Sequence, residues 1–103
     1  MKKILDILES TKLDNRVRLG IMSILMVNDW VEFKRLKETL ELSDGNLASH
    51  LKVLEKEKYI AISKQFVGRK PQTTYQVTDL GRTAFETHLN ALEALVKRKK
   101  ENF

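Results

Sequence analysis

Two groups of polar and cationic residues carry what chemistry this chain can do. The first is Ser43, Asn46, Ser49, Lys52 and Lys56, which recur every three or four residues. On a helix, at about 100° per residue, that spacing gathers them toward one side. Leu47, Leu51 and Leu54 recur at i, i+4 and i+7 on the other side, an apolar face that must be buried. The outward side is small, hydrogen-bonding and positively charged, the set of properties a DNA major groove admits. Asn can bond adenine bidentately, Ser can bond bases or phosphates, and Lys suits guanine or phosphate. Ser43 has a second reading as the cap of this helix, whose free amides favour a phosphate oxygen. His50, about 60° from the centre of the apolar face, sits at the edge of the same surface.

The second group is Arg69, Lys70 and Gln72, within Gly68-Arg69-Lys70-Pro71-Gln72. On either side lie Tyr59–Val67 and Thr73–Thr78, rich in β-branched and aromatic residues, with Tyr75 and Val77 alternating onto one face. Gly68 and Pro71 punctuate the connection, and a proline cannot serve a central ladder position. The pattern predicts a β-hairpin with a basic loop over 68–72.

Elements able to hold these groups can be read along the rest of the chain. Phe33–Leu40 predicts a short helix, separated by Glu41 and Leu42 from the helix that Ser43 caps. Two short helices, a tight turn and a polar second helix form a helix-turn-helix pattern. Asp14 is the expected cap of a helix over Asn15–Asn28, where Val17, Ile21, Ile24 and Leu25 share a face widened by Leu19, Met22 and Met26. Trp30 and Val31 suit a brief extended piece. Thr78 is placed to cap a long helix from Asp79 to Lys100, in which Gly81 either weakens the first turn or permits close packing. The expected class is α+β, mainly α, in the order helix, helix, helix, helix, hairpin, long helix.

Composition narrows the functions available. The 103 residues, 42% of them hydrophobic, suffice for one domain over 1–103 with a real core. A net charge of +5 and a pI near 9.6 suit a polyanionic partner. There is no cysteine, which removes disulfides, thiolate metal sites and thiol redox chemistry. With only His50 and His88, a transition-metal site would need carboxylates from elsewhere, so no metal and no cofactor is expected. No nucleophile–base pair or phosphate-binding glycine loop appears, so the chain does not read as an enzyme. Asp6 and Glu9 interrupt the apolar N-terminus, against a secretory signal, and nothing approaches the roughly 18 apolar residues of a membrane span. The expected location is cytoplasmic, with no membrane partner.

Residues 14 to 85 resemble winged helix-turn-helix transcriptional regulators of the MarR/ArsR type, and most of all their small single-domain winged helix DNA-binding members. The resemblance is carried by Arg16–Met22, Leu42–Leu54 and Gly68–Arg82. It implies a winged helix-turn-helix fold that binds double-stranded DNA as a regulator, in the first instance a repressor. It also implies that Ser43, Asn46, Ser49 and Lys52 read the duplex from the second helix of the motif, while Arg69, Lys70 and Gln72 contact it from the wing. A small-molecule effector between the terminal helices and the DNA-binding lobes is a further expectation of the resemblance, and no residue marks its pocket. The thiolates of the metal-sensing ArsR branch are absent.

The two ends of the chain carry another pattern. Phe85, Leu89, Leu92, Leu95 and Val96 form an apolar stripe beyond what one winged domain needs, and Ile4, Leu5, Ile7 and Leu8 form a shorter one. One reading is an antiparallel cover within the same chain. The other, which the length of the stripe favours, is a two-fold dimer interface built from segments 1–10 and 86–100 of both copies, which would present two reading helices to a palindrome. The closing Lys97-Arg98-Lys99-Lys100 reads as a solvated helix end. The competing function is a winged-helix protein–protein module without sequence-specific DNA binding, and salt-dependent duplex binding separates the two.

Overall fold

The computed structural model describes residues 3–97. Its elements run α1 (Ile4–Ser10), α2 (Arg16–Met26), β1 (Val31–Glu32), α3 (Phe33–Leu40), α4 (Asp44–Lys56), β2 (Ile60–Val67), β3 (Lys70–Val77) and α5 (Asp79–Val96). Three antiparallel strands pair in the order β1-β3-β2.

Helix α2 is the centre of the core, as its broad apolar girth requires: Ile21, Met22 and Leu25 are fully buried among side chains from α3, α4 and the sheet. Its cap is not the expected Asp14. Asn15 takes that place, its Oδ1 accepting the amides of Val17 at 2.9 Å and Arg18 at 3.1 Å. The helix therefore starts at Arg16, and it ends at Met26 rather than Asn28. Asn28 turns back to donate to the Ile24 carbonyl at 2.8 Å, which also accepts the Val27 amide at 3.4 Å.

The turn between α3 and α4 is tight because Glu41 adopts a left-handed conformation (φ 54). The Leu42 amide then reaches back to the Lys37 carbonyl at 3.1 Å, closing α3. Ser43 caps α4 as expected, its Oγ accepting the Asn46 amide at 3.2 Å. Leu36 of α3 and Leu47, Leu51 and Leu54 of α4 all enter the core.

The hairpin departs from expectation. Its connection is not the five-residue loop 68–72 but the two residues Gly68 and Arg69, with Lys70, Pro71 and Gln72 in strand β3. Gly68 supplies the positive φ (64) at the first central position, the pattern of a type II′ turn. Val67 and Lys70 close the ladder, so the next pair, Phe66 and Pro71, falls on the alternating non-hydrogen-bonded position. The proline nitrogen thus faces the other edge of β3, and β1 covers that edge only at Thr74 and Tyr75. Pro71 sits in the middle strand of the sheet without removing a ladder bond.

Thr78 caps α5, accepting the Gly81 amide at 3.0 Å and donating to the Lys58 carbonyl at 2.7 Å. Gly81 is buried directly against the backbone of Tyr59, which settles its two readings in favour of close packing. Helix α5 runs to Val96 with Lys97 as its cap; the expected continuation to Lys100 lies outside the described residues.

Helix α1 lies against α5 of the same chain. The buried link is Thr11, whose hydroxyl donates to the Leu8 carbonyl at 2.8 Å and lies 2.8 Å from His88 Nδ1. Because the single hydroxyl proton goes to Leu8, the oxygen must accept from His88, which fixes the proton on Nδ1. Burial pushes the His88 pKa below its ordinary value, outweighing the Asp14 carboxylate and the Leu8 carbonyl, which favour the charged ring.

Candidate nucleic-acid interface

Helix α4 is divided lengthwise. Leu47, Leu51 and Leu54 are buried, whereas Ser43, Asn46, Ser49, Lys52 and Lys56 are exposed. The division follows from periodicity alone: the apolar stripe can be buried only if the polar one turns outward. Among the described residues nothing covers the polar side, and the side chains of Asn46, Ser49, Lys52 and Lys56 find no hydrogen-bond or ion-pair partner. Asp44 places a carboxylate in the first turn, where it bonds Lys37 of α3 at 2.8 Å. That exposed pair adds little stability.

His50 is half-buried at the rim between α4 and α2. Its Nδ1 lies 3.2 Å from Nη1 of Arg18, while Arg18 Nε donates to the Lys12 carbonyl at 2.8 Å. Burial lowers the His50 pKa first, and the neighbouring guanidinium lowers it further. Both effects favour the neutral ring in the free chain. In the sequence Arg18 stands out only as part of the Arg16–Met22 motif, with no role of its own. No local signal could have paired it with a histidine 32 positions away.

The wing residues Arg69 and Lys70 are exposed at the hairpin tip and Gln72 is half-buried. They do not stand alone. An open groove of about 600 Å³ runs between the hairpin and the start of α3, where Lys34, Phe33 and Glu32 face Lys70, Pro71 and Gln72. Lys34 is thus a cation that the fold adds to the wing's set. Phe66 and Val67, 75% and 58% exposed, make the tip partly apolar.

The terminal residues divide unevenly. Leu5, Leu89, Leu95 and Val96 are exposed, and Ile4, Ile7, Leu8 and Leu92 are half-buried where α1 meets α5. Phe85 does not belong with them. It is 8% exposed within the core of its own chain, because the first turns of α5 close the winged lobe before the helix emerges. Among the described residues no three His, Asp or Glu side chains are grouped to hold a metal ion, and no helix is long and apolar enough to cross a membrane.

Comparison with known proteins places this geometry. Residues 17–96 match the family model described as the winged helix DNA-binding domain. An uncharacterized protein of Methanocaldococcus jannaschii is 36% identical over 81 residues, covering 79% of this chain and 88% of the relative. The solved structure of a transcriptional regulator homologue from Pyrococcus horikoshii OT3 superposes with a TM-score of 0.82 at 33% identity, over 93% of this chain and 95% of that one. The YusO protein of Bacillus subtilis shares the fold, with a TM-score of 0.82 at 19% identity over 97% of this chain and 70% of its own.

Proposed function

The chain belongs to the winged helix DNA-binding domain family, and from that premise we propose that it is a sequence-specific regulator of transcription. It binds a palindromic operator as a homodimer and represses by occupying the promoter. The observation that carries this reading is the exposed, unpartnered face of α4, where Asn46, Ser49, Lys52 and Lys56 stand opposite three buried leucines. Asn46 and Ser49 read base edges; Lys52 and Lys56 take guanine or phosphate, and Ser43 with the free amides of the helix start holds a phosphate. His50 contributes at the rim of the same helix. Arg69, Lys70 and Gln72 contact the duplex from the wing.

Dimerisation is supported by apolar surface that the described residues leave uncovered. Leu5 is 72% exposed and Val96 82%, with Leu89 and Leu95 at 42% and 38%. These residues, with Ile4, Ile7, Leu8 and Leu92 beside them, fall within segments 1–10 and 86–100, which form the two-fold contact. Two reading helices set about one DNA turn apart, roughly 34 Å, then address the two half-sites. A small molecule bound between the terminal helices and the winged lobes would regulate by changing that separation.

The test is selection from a random duplex pool across a salt series. The reading expects enrichment of a palindrome with half-sites one turn apart. Salt-sensitive binding without an enriched sequence would remove the operator from the proposal. No duplex binding at low salt would leave a protein–protein module in its place.

A further inference from the structure

The contacts of Arg18 define a chemical state for the reading helix. A guanidinium only donates, so His50 Nδ1, 3.2 Å from Arg18 Nη1, must be an acceptor. The neutral ring then carries its proton on Nε2. That nitrogen has no partner among the described residues, and none of their buried side-chain nitrogens or oxygens lacks one. Nε2–H is therefore open to solvent, on the helix stripe that also holds Asn46 one turn earlier. The other end of the guanidinium is fixed. Arg18 Nε donates to the carbonyl of Lys12, a residue in the left-handed conformation (φ 63), and the preceding residue, Thr11, is bonded to His88 of α5. The imidazole is thus oriented by an arm anchored to the corner where α1, α2 and α5 meet.

We infer that Arg18 is a positioning residue for DNA recognition: it holds His50 as the Nε2–H tautomer, and His50 donates through Nε2 to an acceptor atom on the bound duplex. This rests on the proposed DNA-binding function. It assigns His50 the role of a neutral directional donor, and it gives Arg18 a part that its position on α2, outside the reading helix, does not announce.

The experiment is a double-mutant cycle on the selected operator and on random duplex. Arg18→Lys keeps the charge but cannot bond the Lys12 carbonyl and His50 together. It is expected to weaken operator binding about tenfold, the scale of one oriented hydrogen bond. In a His50→Ala background the same change should cost less than about twofold, since the group it positions is gone. His50→Gln, whose amide nitrogen can occupy the Nε2 position, should stay within about threefold of wild type, and His50→Asn, whose nitrogen corresponds to Nδ1, should fall with His50→Ala. A loss confined to the operator assigns the acceptor to a base edge; an equal loss on random duplex assigns it to a phosphate. Independently of DNA and of any change in stability, ring ¹⁵N–¹H correlation spectra of the free wild-type protein should show the His50 proton on Nε2. Additive losses in the cycle, His50→Asn binding as tightly as wild type, or a proton on Nδ1 would each overturn the inference while leaving the DNA-binding reading standing. A wild type that binds no duplex at low salt would overturn both.

Discussion

Replacing Gly81 by alanine should destabilise the protein, although alanine is the better helix former. A Cβ at this position would lie 2.9 Å from the Tyr59 carbonyl carbon, 3.0 Å from its Cα, and closer still to the carbonyl oxygen. Those atoms are backbone and cannot rotate away. They are also pinned: the Tyr59 amide bonds the Leu54 carbonyl at 2.9 Å, and the Tyr59 carbonyl accepts the Thr78 amide at 3.0 Å. Relief therefore requires the start of α5 to move outward, stretching the Thr78 bonds to Tyr59 and Lys58. Overpacking of this kind costs about 1–3 kcal/mol, and each weakened hydrogen bond adds roughly 1 kcal/mol. Against that stands a helix-propensity gain of at most about 1 kcal/mol. The net loss should be about 2–4 kcal/mol, a fall in Tm on the order of 10–30 °C for a domain of this size. Gly45 is the internal control, because it is helical and exposed and an added Cβ would meet nothing within 4 Å. Gly45→Ala should gain up to about 0.5 kcal/mol. Both variants should be unfolded by heat and by urea at matched protein concentration, since association shifts apparent stability. If Gly81→Ala melts at or above wild type while Gly45→Ala shows its gain, the close approach of α5 to Tyr59 is wrong.

Three further outcomes are expected. Arg69→Ala with Lys70→Ala should weaken binding on all duplexes and reduce the slope of log K against log salt by up to about 2, whereas Asn46→Ala should lose discrimination at one base pair, about 1–3 kcal/mol, with the slope unchanged. Operator variants measured across the salt series check both. The pKa of His88 is depressed in the folded state below its ordinary 6.5, so the unfolded chain binds the proton more readily; stability should be full above about pH 6.5 and fall as pH drops through the folded value. Urea midpoints at pH 5 and 7.5 should show this, and His88→Asn, which can still donate to Thr11 but cannot titrate, should flatten the difference. If the proposed dimer forms through these residues, Leu95→Glu with Leu89→Glu should leave a monomer in sedimentation velocity without loss of helix signal, since both side chains are exposed in the single chain.

What the sequence determined by itself was everything governed by local period and chain chemistry. The split of α4 into Leu47, Leu51 and Leu54 inside and Asn46, Ser49, Lys52 and Lys56 outside is a property of 3.6-residue spacing, and the caps at Ser43 and Thr78 need only neighbours within one turn. The centrality of α2 could be read from its girth. Short-range competition blurred the boundaries: Asn15 displaced Asp14 as a cap, and a two-residue turn at Gly68–Arg69 drew Lys70, Pro71 and Gln72 into a strand. The proline was legible as a turn former but not as a strand residue, because its tolerance depends on which edge of β3 is left uncovered. Only tertiary structure decided the contacts between distant segments. Phe85 went inward because α5 closes over the core before it emerges. Lys34 joined the wing because α3 and the hairpin flank one groove. Arg18 met His50, and Thr11 met His88, across 32 and 77 positions of chain. Periodicity assigns a side chain to a face; which side chain from another element lies opposite, and so which ring nitrogen holds a proton, depends on how the helices pack.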